Sequence, residues 1–494
     1  MESISFFLHA VKEYYLLHWI WIGLTLCILS RLITTIYYIE DIDSLRFALA
    51  TKEFNIVKLQ PHFPGYPVFC FMLNAFYWMF GRFSLSFSLI GGIASFLLMW
   101  SSREIVSEIY PGFHKWIIDL LIFFNPFYWI MANRYMPDLL GLSITACAFC
   151  FFVKYLKYYR LNYLLFFCLL AGLSAGVRLS FLPFLIAPII FLLFVEKQKK
   201  YFQILFLALG VLIWFIPFLI ITGWDGMISS AFKHTGGHFY DWGGTIFTEP
   251  NYLLRLKGIL SGIFAHGLGG FWQGRHWSTM GVTIGVVLGI VQFFRFKKEV
   301  FDRIIKFPKI ILILFASSFV IYLLWIFFYQ NVIFNPRHCM PLVWVVIIIT
   351  ALGYSLFLQK FKIMSILLLI YFMLSYSYIT YHVVNQHKKP SAIAQTLNYL
   401  KSKNSETLNI ISIPMINQYL KNQKLDAQFY NCEDKSNLQN PIAIGSKNKE
   451  TTIFIGCLPE EVKSNSYKKM IFFHNPFVNT IWPEIELFEM YDRN

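Results

Sequence analysis

"EKQKKYFQILFLALGVLIWFIPFLIIT", residues 196–222, decides how the rest of the chain is read. A short polar stretch with Lys197, Lys199 and Lys200 runs straight into 201–222, where no residue is charged. A helix of that length, at 1.5 Å per residue, reaches about 33 Å, enough to cross the roughly 30 Å hydrocarbon core of a bilayer. The lysines at one end mark that end as cytoplasmic. Apolar runs of this kind recur from Leu16 to about Thr380, separated by "KYLKYYR" (154–160), "RFKKEVFDRIIKFPK" (295–309) and "KFK" (360–362).

The composition agrees with that reading. Of 494 residues, 57% are hydrophobic and 14% charged, with 53 phenylalanines, which excludes an ordinary soluble globular domain. Within lipid, helices satisfy every backbone polar group, so an all-α polytopic membrane protein is expected. The net charge of +15 lies in short loops rather than on one soluble face, so nucleic acid is not an expected partner; membrane lipids are. Cys27, Cys70, Cys147, Cys150 and Cys168 lie in apolar runs and act as small hydrophobes. Cys432 and Cys457 lie in the polar tail and are able to pair in an oxidising compartment. The N-terminus reads as an interfacial segment leading into an uncleaved first helix.

With the basic loops cytoplasmic, crossings are expected near 16–37, 83–101, 116–132, 138–156, 162–177, 179–195, 201–222, 277–295, 310–329, 341–359 and 362–381. "YPVFCFMLNAFYWMFG" (66–81) reads as a juxtamembrane or re-entrant helix, and as a spanning helix it would raise the total. About 11 to 12 transmembrane helices result. This arrangement gathers Asp41, Asp43, His62, Arg134, Asp138, Arg178, His234, His238, Asp241, Arg275, Arg337 and His338 at the outer face. Ionisable groups at such depths are costly and mark function. The chain divides into a transmembrane domain, 1–386, and an extracytoplasmic α/β domain, 387–494, in which "SAIAQTLNYLKSK" and "PMINQYLKN" read as helices and "TLNIISI" and "DAQFYNC" as strands. The tail has no glycine-rich phosphate fingerprint, so no nucleotide site is expected there.

The outer segments carry the chemistry. Glu40, Asp41 and Asp43 put three carboxylates within four positions, where mutual repulsion raises the pKa of at least one and suits it to be a general base. Oxygen ligation of a divalent metal by the same cluster is the alternative, though no metal is required. "QPHFPGYP" (60–67) holds His62 on a stiff, proline-set loop. Arg134 and Asp138 stand four apart around Pro137, either as a local ion pair or with Asp138 seating an acceptor or orienting an arginine. Arg178 either snorkels to the head groups or binds a lipid phosphate. His234 and His238 have a helical zinc spacing, but Gly236 and Gly237 between them argue against a helix. Trp242, Trp272 and Arg275 suit stacking on a sugar and holding an anion. Arg337 and His338, in "NPRHCMPL", open a crossing with a guanidinium fork fit for a phosphate.

The order of these motifs resembles the GT-C superfamily of integral-membrane glycosyltransferases, which includes the protein O-mannosyltransferases and the aminoarabinose transferases of lipid A. In that family an acidic motif in the first outer loop precedes an aromatic, small residues and a proline-rich segment. Here "DIDSLRFALA" (41–50) is followed by "PHFPGYP" (61–67), with Asp43 where the family's acid falls and Ser44 in place of the frequent Glu. "NRYMPDLL", "GVRLSFLP", "NPRHCMPL" and the tail extend the resemblance over most of the chain. It implies transfer of a hexosyl or pentosyl group, usually with inversion, from a polyprenyl- or dolichyl-phosphate sugar to a hydroxyl acceptor. On this reading Asp43 and Asp41 are the catalytic acids, and Arg337, Arg178, His62 and Arg275 hold the donor phosphate. Asp138, Arg134, His338, Trp242 and Trp272 bind substrate, and no cofactor is expected. A lipid-linked-sugar flippase or transporter, or a ligase or polymerase of such sugars, is the alternative. The abundance of Lys, Asn, Ile and Phe points to a bacterial inner membrane.

Overall fold

Small residues set how closely the apolar helices approach. Where Leu161–Arg178 crosses Lys200–Thr222, Gly172 and Gly210 face each other, and a Cβ on either would overlap the opposite backbone. Close backbone approach of this kind is how helices associate in lipid, where hydrophobicity supplies no drive. The computed structural model describes residues 2–242, 244–304, 309–403, 407–434, 450–458 and 467–490. By contacts it divides into two units: Met1–Thr35 with Leu49–Val384, and Ile36–Ala48 with Asn385–Asn494.

The first unit is helical. Among the described residues eight helical runs are long and apolar enough to cross a membrane, or nine if Lys115–Phe123 and Pro126–Asn133, bent by 53°, count as one. That pair lies where a crossing is expected, at 116–132. The bend follows from Pro126, which opens the second helix, and from Asn125, whose side chain caps it by accepting from the Tyr128 amide.

The expected count of 11 to 12 differs from this count at three places. The first helix, Glu2–Ile33, offers only His18–Ile33 as an apolar stretch of its own. Pro67–Phe80 has 14 residues, about 21 Å of helix, short of a hydrocarbon core. The expected crossings at 162–177 and 179–195 fall in a single run, Leu161–Val195. Contacts at its ends show its course. Arg178 meets Asp138, the first residue of helix Asp138–Tyr158, at 2.9 Å, whereas Lys199 donates to the Tyr155 hydroxyl near that helix's last turn at 2.8 Å. The chain therefore runs along this helix and comes back, reversing through the 3-10 turn Leu179–Leu185 that contains Pro183.

Two ends of the unit are thereby distinguished. At one lie Lys154 with Glu104 and Lys157 with Glu108, both at 2.6 Å, beside the Lys199–Tyr155 contact. At the other lie Asp138 and Arg178.

The second unit contains a mixed sheet of five strands among the described residues: Thr407–Ser412 (β1), Gln428–Asn431 (β2), Glu450–Ile455 (β3), Tyr467–Phe473 (β4) and Glu484–Met490 (β5). Their order is β2-β1-β3-β5-β4. β1 pairs in parallel with both β2 and β3, and β5 closes the sheet antiparallel between β3 and β4. Ile411, Phe454 and Phe488 form a core on it. The helices Ala392–Lys401 and Pro414–Asn422 and the strands β1 and β2 fall where the sequence pattern puts them. The thiols of Cys432 and Cys457 are free and neighbour each other, and burial pushes that of Cys457 upward.

Reporter fusions test the orientation expected from the basic loops. Fusions after Lys199 and Lys298 are expected to read cytoplasmic, and fusions after Gly237 and Ser391 extracytoplasmic. Opposite readings at Gly237 and Ser391 would contradict it.

Candidate active site

In the second unit the acidic segment folds as a helix start. Asp41 precedes the helix Ile42–Ala50, and its Oδ1 accepts from the Ser44 amide at 2.8 Å while its carbonyl accepts from Leu45. That is the N-cap position, for which Asp is among the best residues. Asp43 sits in the first turn, where the helix dipole favours an anion, 3.5 Å from Arg46. Glu40 is wholly buried, and its Oε1 lies 3.0 Å from Nε2 of His387. Three hydrogen bonds fix the backbone around this pair: Tyr38 donates to the His387 carbonyl, Tyr419 to the Ile39 carbonyl, and the Asn479 amide to the Glu40 carbonyl. The three carboxylates thus have three different partners: a histidine, a helix-start amide and an arginine. Asp43 alone of the three keeps part of its side chain exposed.

In the first unit a connected set of polar groups surrounds Arg178. The sequence left open whether Asp138 pairs with Arg134 or orients another arginine; Asp138 pairs with Arg178, 112 residues from Tyr66 and on a different helix, with both charges buried. Arg178 therefore does not snorkel to the surface. Its second guanidinium nitrogen donates to the Tyr66 hydroxyl at 3.1 Å, and that hydroxyl is 3.0 Å from His62 Nε2. The Tyr66 hydroxyl thus joins the Arg178 guanidinium to the His62 ring. Tyr66 holds a left-handed backbone conformation, φ 48°, just before the helix Pro67–Phe80, so the proline segment delivers both His62 and Tyr66 to one place.

His62 also stacks on His234, with centroids 5.3 Å apart and planes at 13°. His234 in turn lies parallel to His238 at 6.4 Å, and Trp242 meets it edge-on at 4.9 Å. This corrects the expectation that Gly236 and Gly237 break the helix: Trp224–Gly236 continues as a π turn, Gly237–Asp241. Gly237 is needed instead for packing, because the Trp242 indole occupies the place of a Cβ there. The stacked imidazoles present faces rather than converging nitrogens, and among the described residues no three His, Cys, Asp or Glu are grouped to hold a metal.

A second set of cations lies on 262–275 and 134–136. Arg275 donates to the Ala265 carbonyl. The neighbouring His266 has its pKa pushed down to about 3, by burial first and then by the Arg275 and Arg134 guanidiniums. Arg337, partly exposed, reaches the Met136 Sδ at 2.7 Å, and the carbonyl of buried His338 accepts from Tyr322 at 2.7 Å. Trp272 lines an apolar pocket with Phe264, Leu268 and Thr283. Tyr66, His266 and His387 were not singled out by sequence reasoning. Tyr66 carried a signal in its proline-rich surroundings, whereas His266 and His387 carried none in theirs. Arg31 was also missed: it is fully buried, donates to the Phe123 carbonyl, and stacks on Trp129 with its guanidinium carbon 3.9 Å from the ring centroid.

No protein-family model matches the chain, and no curated protein does. Solved structures do. ArnT from Cupriavidus metallidurans, bound to undecaprenyl phosphate, is 9% identical with a TM-score of 0.55, over 95% of this chain and 98% of that one. The oligosaccharyltransferase of Archaeoglobus fulgidus, tethered to an acceptor peptide, is 13% identical with a TM-score of 0.50, over 90% of this chain and 69% of its own. The likeness is one of fold, extends over nearly the whole chain, and is in keeping with the resemblance that the motif order carries.

Removing one partner of the buried pair leaves the other charge stranded. Asp138→Asn is expected to lower unfolding stability by about 3–5 kcal/mol. Tyr66→Phe leaves only hydrogen-bonding groups without the shared hydroxyl, at about 1–3 kcal/mol. Thermal or denaturant unfolding in detergent measures both, and a larger loss for Tyr66→Phe than for Asp138→Asn would contradict this account of the pair.

Proposed function

We propose that this protein transfers a sugar from a polyprenyl-phosphate donor to a hydroxyl acceptor at the outer face of the membrane, with inversion. The observation that carries the reading is the fold shared, nearly end to end, with a protein seen bound to undecaprenyl phosphate. The membrane unit fits such a donor, which needs helices for its prenyl tail and cations for its phosphate. In the proposed topology the chain crosses the bacterial inner membrane 11 to 12 times, and 387–494 is the extracytoplasmic domain.

In the proposed reaction Asp43 takes the proton of the acceptor hydroxyl as that oxygen attacks the anomeric carbon. The bond from that carbon to the phosphate oxygen breaks, and polyprenyl phosphate leaves with the electron pair. Arg337 and Arg275, both partly exposed, are assigned to the developing phosphate charge, together with Arg178 and His62. Arg178 is already balanced by Asp138, so its assigned part is to hold Tyr66 and His62 in place as much as to attract the anion. Arg134, Asp138, His338, Trp242 and Trp272 are assigned to the substrates. Asp41 holds the helix start on which Asp43 rides, and its buried carboxylate makes it the weaker candidate for the base. No metal is required by this scheme. A transporter of the same lipid is the competing reading, and it would leave the glycosyl bond intact.

Asp43→Asn retains the shape of the side chain but takes up no proton. It is expected to keep donor binding near wild type and to lower turnover by about 10² to 10⁴-fold. Asp41→Asn is expected to lose less, because an amide oxygen still caps the helix. Near wild-type turnover in both single variants and in the double variant would overturn the carboxylate mechanism.

Arg337→Ala is expected to weaken use of the donor strongly, and Arg337→Lys to recover only part, since one ammonium does not reproduce a bidentate fork. Initial rates against donor concentration measure this. Unchanged donor dependence in Arg337→Ala would remove Arg337 from the phosphate.

A further inference from the structure

Just ahead of the helix Ile42–Ala50 the chain is neither helix nor strand, so its backbone groups need partners from elsewhere. Residues 385–494, with which 36–48 forms one compact unit, supply them at three successive positions. Tyr38 donates its hydroxyl to the His387 carbonyl at 2.6 Å, Tyr419 donates to the Ile39 carbonyl at 2.6 Å, and the Asn479 amide donates to the Glu40 carbonyl at 3.1 Å. The Glu40 side chain adds a fourth hold through His387.

The groups that hold this segment are themselves fixed. The Asn479 side-chain oxygen accepts from the Ile481 and Trp482 amides, so its nitrogen is the end presented to Glu40. Tyr419 is buried with its ring edge-on to Trp482, centroids 6.0 Å apart. Gln386, beside His387, is tied to the same loop between β4 and β5: its carbonyl meets His474 Nε2 at 3.2 Å, and its side-chain oxygen accepts from Asn475. Four side chains drawn from a helix end, the helix Pro414–Asn422 and this loop thus converge on 38–40.

What they converge on is the start of a helix. Asp41, the next residue, caps it, and Asp43 stands in its first turn. Ile42, Leu45, Phe47 and Ala48 are buried, which fixes the rotation of the helix about its axis. The direction in which Asp43 is presented is therefore set by the three residues before the cap. Proton transfer needs hydrogen-bond reach, and a misplacement of about 1 Å can cost about 10²-fold in rate.

We propose that Tyr419, Asn479 and the Glu40–His387 pair are positioning residues, through which 385–494 sets the place of Asp43 and so acts on turnover rather than on the hold on the donor. The inference rests on the reading of Asp43 as the base. It gives the C-terminal residues a part in the proton-transfer step, as the mount on which the acidic segment is carried.

The test is release of undecaprenyl phosphate by the purified full-length protein from undecaprenyl-phosphate glucose or arabinose, with octyl glucoside as the hydroxyl acceptor. Thermal unfolding in detergent confirms that each variant is folded. Tyr419→Phe keeps the ring against Trp482 and loses only the hydroxyl; it is expected to lower kcat by about tenfold, with the donor KM within about twofold of wild type. Glu40→Ala is expected to lower kcat further, and Glu40→Gln, whose amide oxygen still meets the His387 ring, to recover most of that loss. The deciding comparison is made in Asp43→Asn, where Tyr419→Phe is expected to change the residual rate by less than about twofold, because the carboxylate it positions is gone. Folded Tyr419→Phe and Glu40→Ala proteins with wild-type kcat would overturn the proposal. So would an equal fractional loss from Tyr419→Phe with and without Asp43→Asn, which would show a structural part alone. Both of those outcomes leave Asp43 standing as the base, whereas wild-type turnover in Asp43→Asn would overturn that reading and this one with it.

Discussion

A charge buried among apolar helices has to be matched or it is not tolerated, and the pair of Asp138 and Arg178 shows what that requirement imposes on the membrane unit. Asp138 begins one long helix and Arg178 ends the next, so their meeting fixes the two helices antiparallel and sets the level at which the chain turns back through Leu179–Leu185. The same guanidinium engages Tyr66, and through Tyr66 the ring of His62, which stacks on His234. Three stretches far apart in sequence are thereby assembled by one ion pair. Their polar groups sit at the end of the unit away from the lysine–glutamate pairs.

Much of this was legible in the sequence because the physics of lipid is strict. Uncharged runs bounded by lysines leave few alternatives to helices, and helices are found there. The tail was legible for another reason: "TLNIISI" and "PMINQYLKN" switch from strand to helix periodicity at a proline, and β1 and Pro414–Asn422 fall there. Local patterns failed where tertiary contacts decide. Gly236 and Gly237 read as helix breakers, yet the helix continues because Trp242 fills the space that a side chain would take. Three neighbouring acids gave no sign that one of them meets a histidine 347 residues further along. His266 had no local signal, since its surroundings include Arg134 from a segment far away in sequence.

The acidic segment also shows how helix chemistry explains part of a sequence motif. An Asp before the first turn is what a helix start asks for, and this one is used so. The consequence is a division of labour in which Glu40 anchors, Asp41 caps and Asp43 remains partly exposed at the helix N-terminus. A helix N-terminus favours a carboxylate, so Asp43 sits where a negative charge is stabilised.

The account's central claim is that a glycosyl–phosphate bond is broken at this protein and the sugar passed to a hydroxyl. The most direct measurement is product analysis after incubating purified protein with a polyprenyl-phosphate sugar labelled at the anomeric carbon and a hydroxyl acceptor. The account predicts free polyprenyl phosphate in equal amount to glycosylated acceptor, with the anomeric configuration inverted by NMR. Donor recovered intact, moved across a vesicle membrane with its glycosyl bond unbroken, would contradict it.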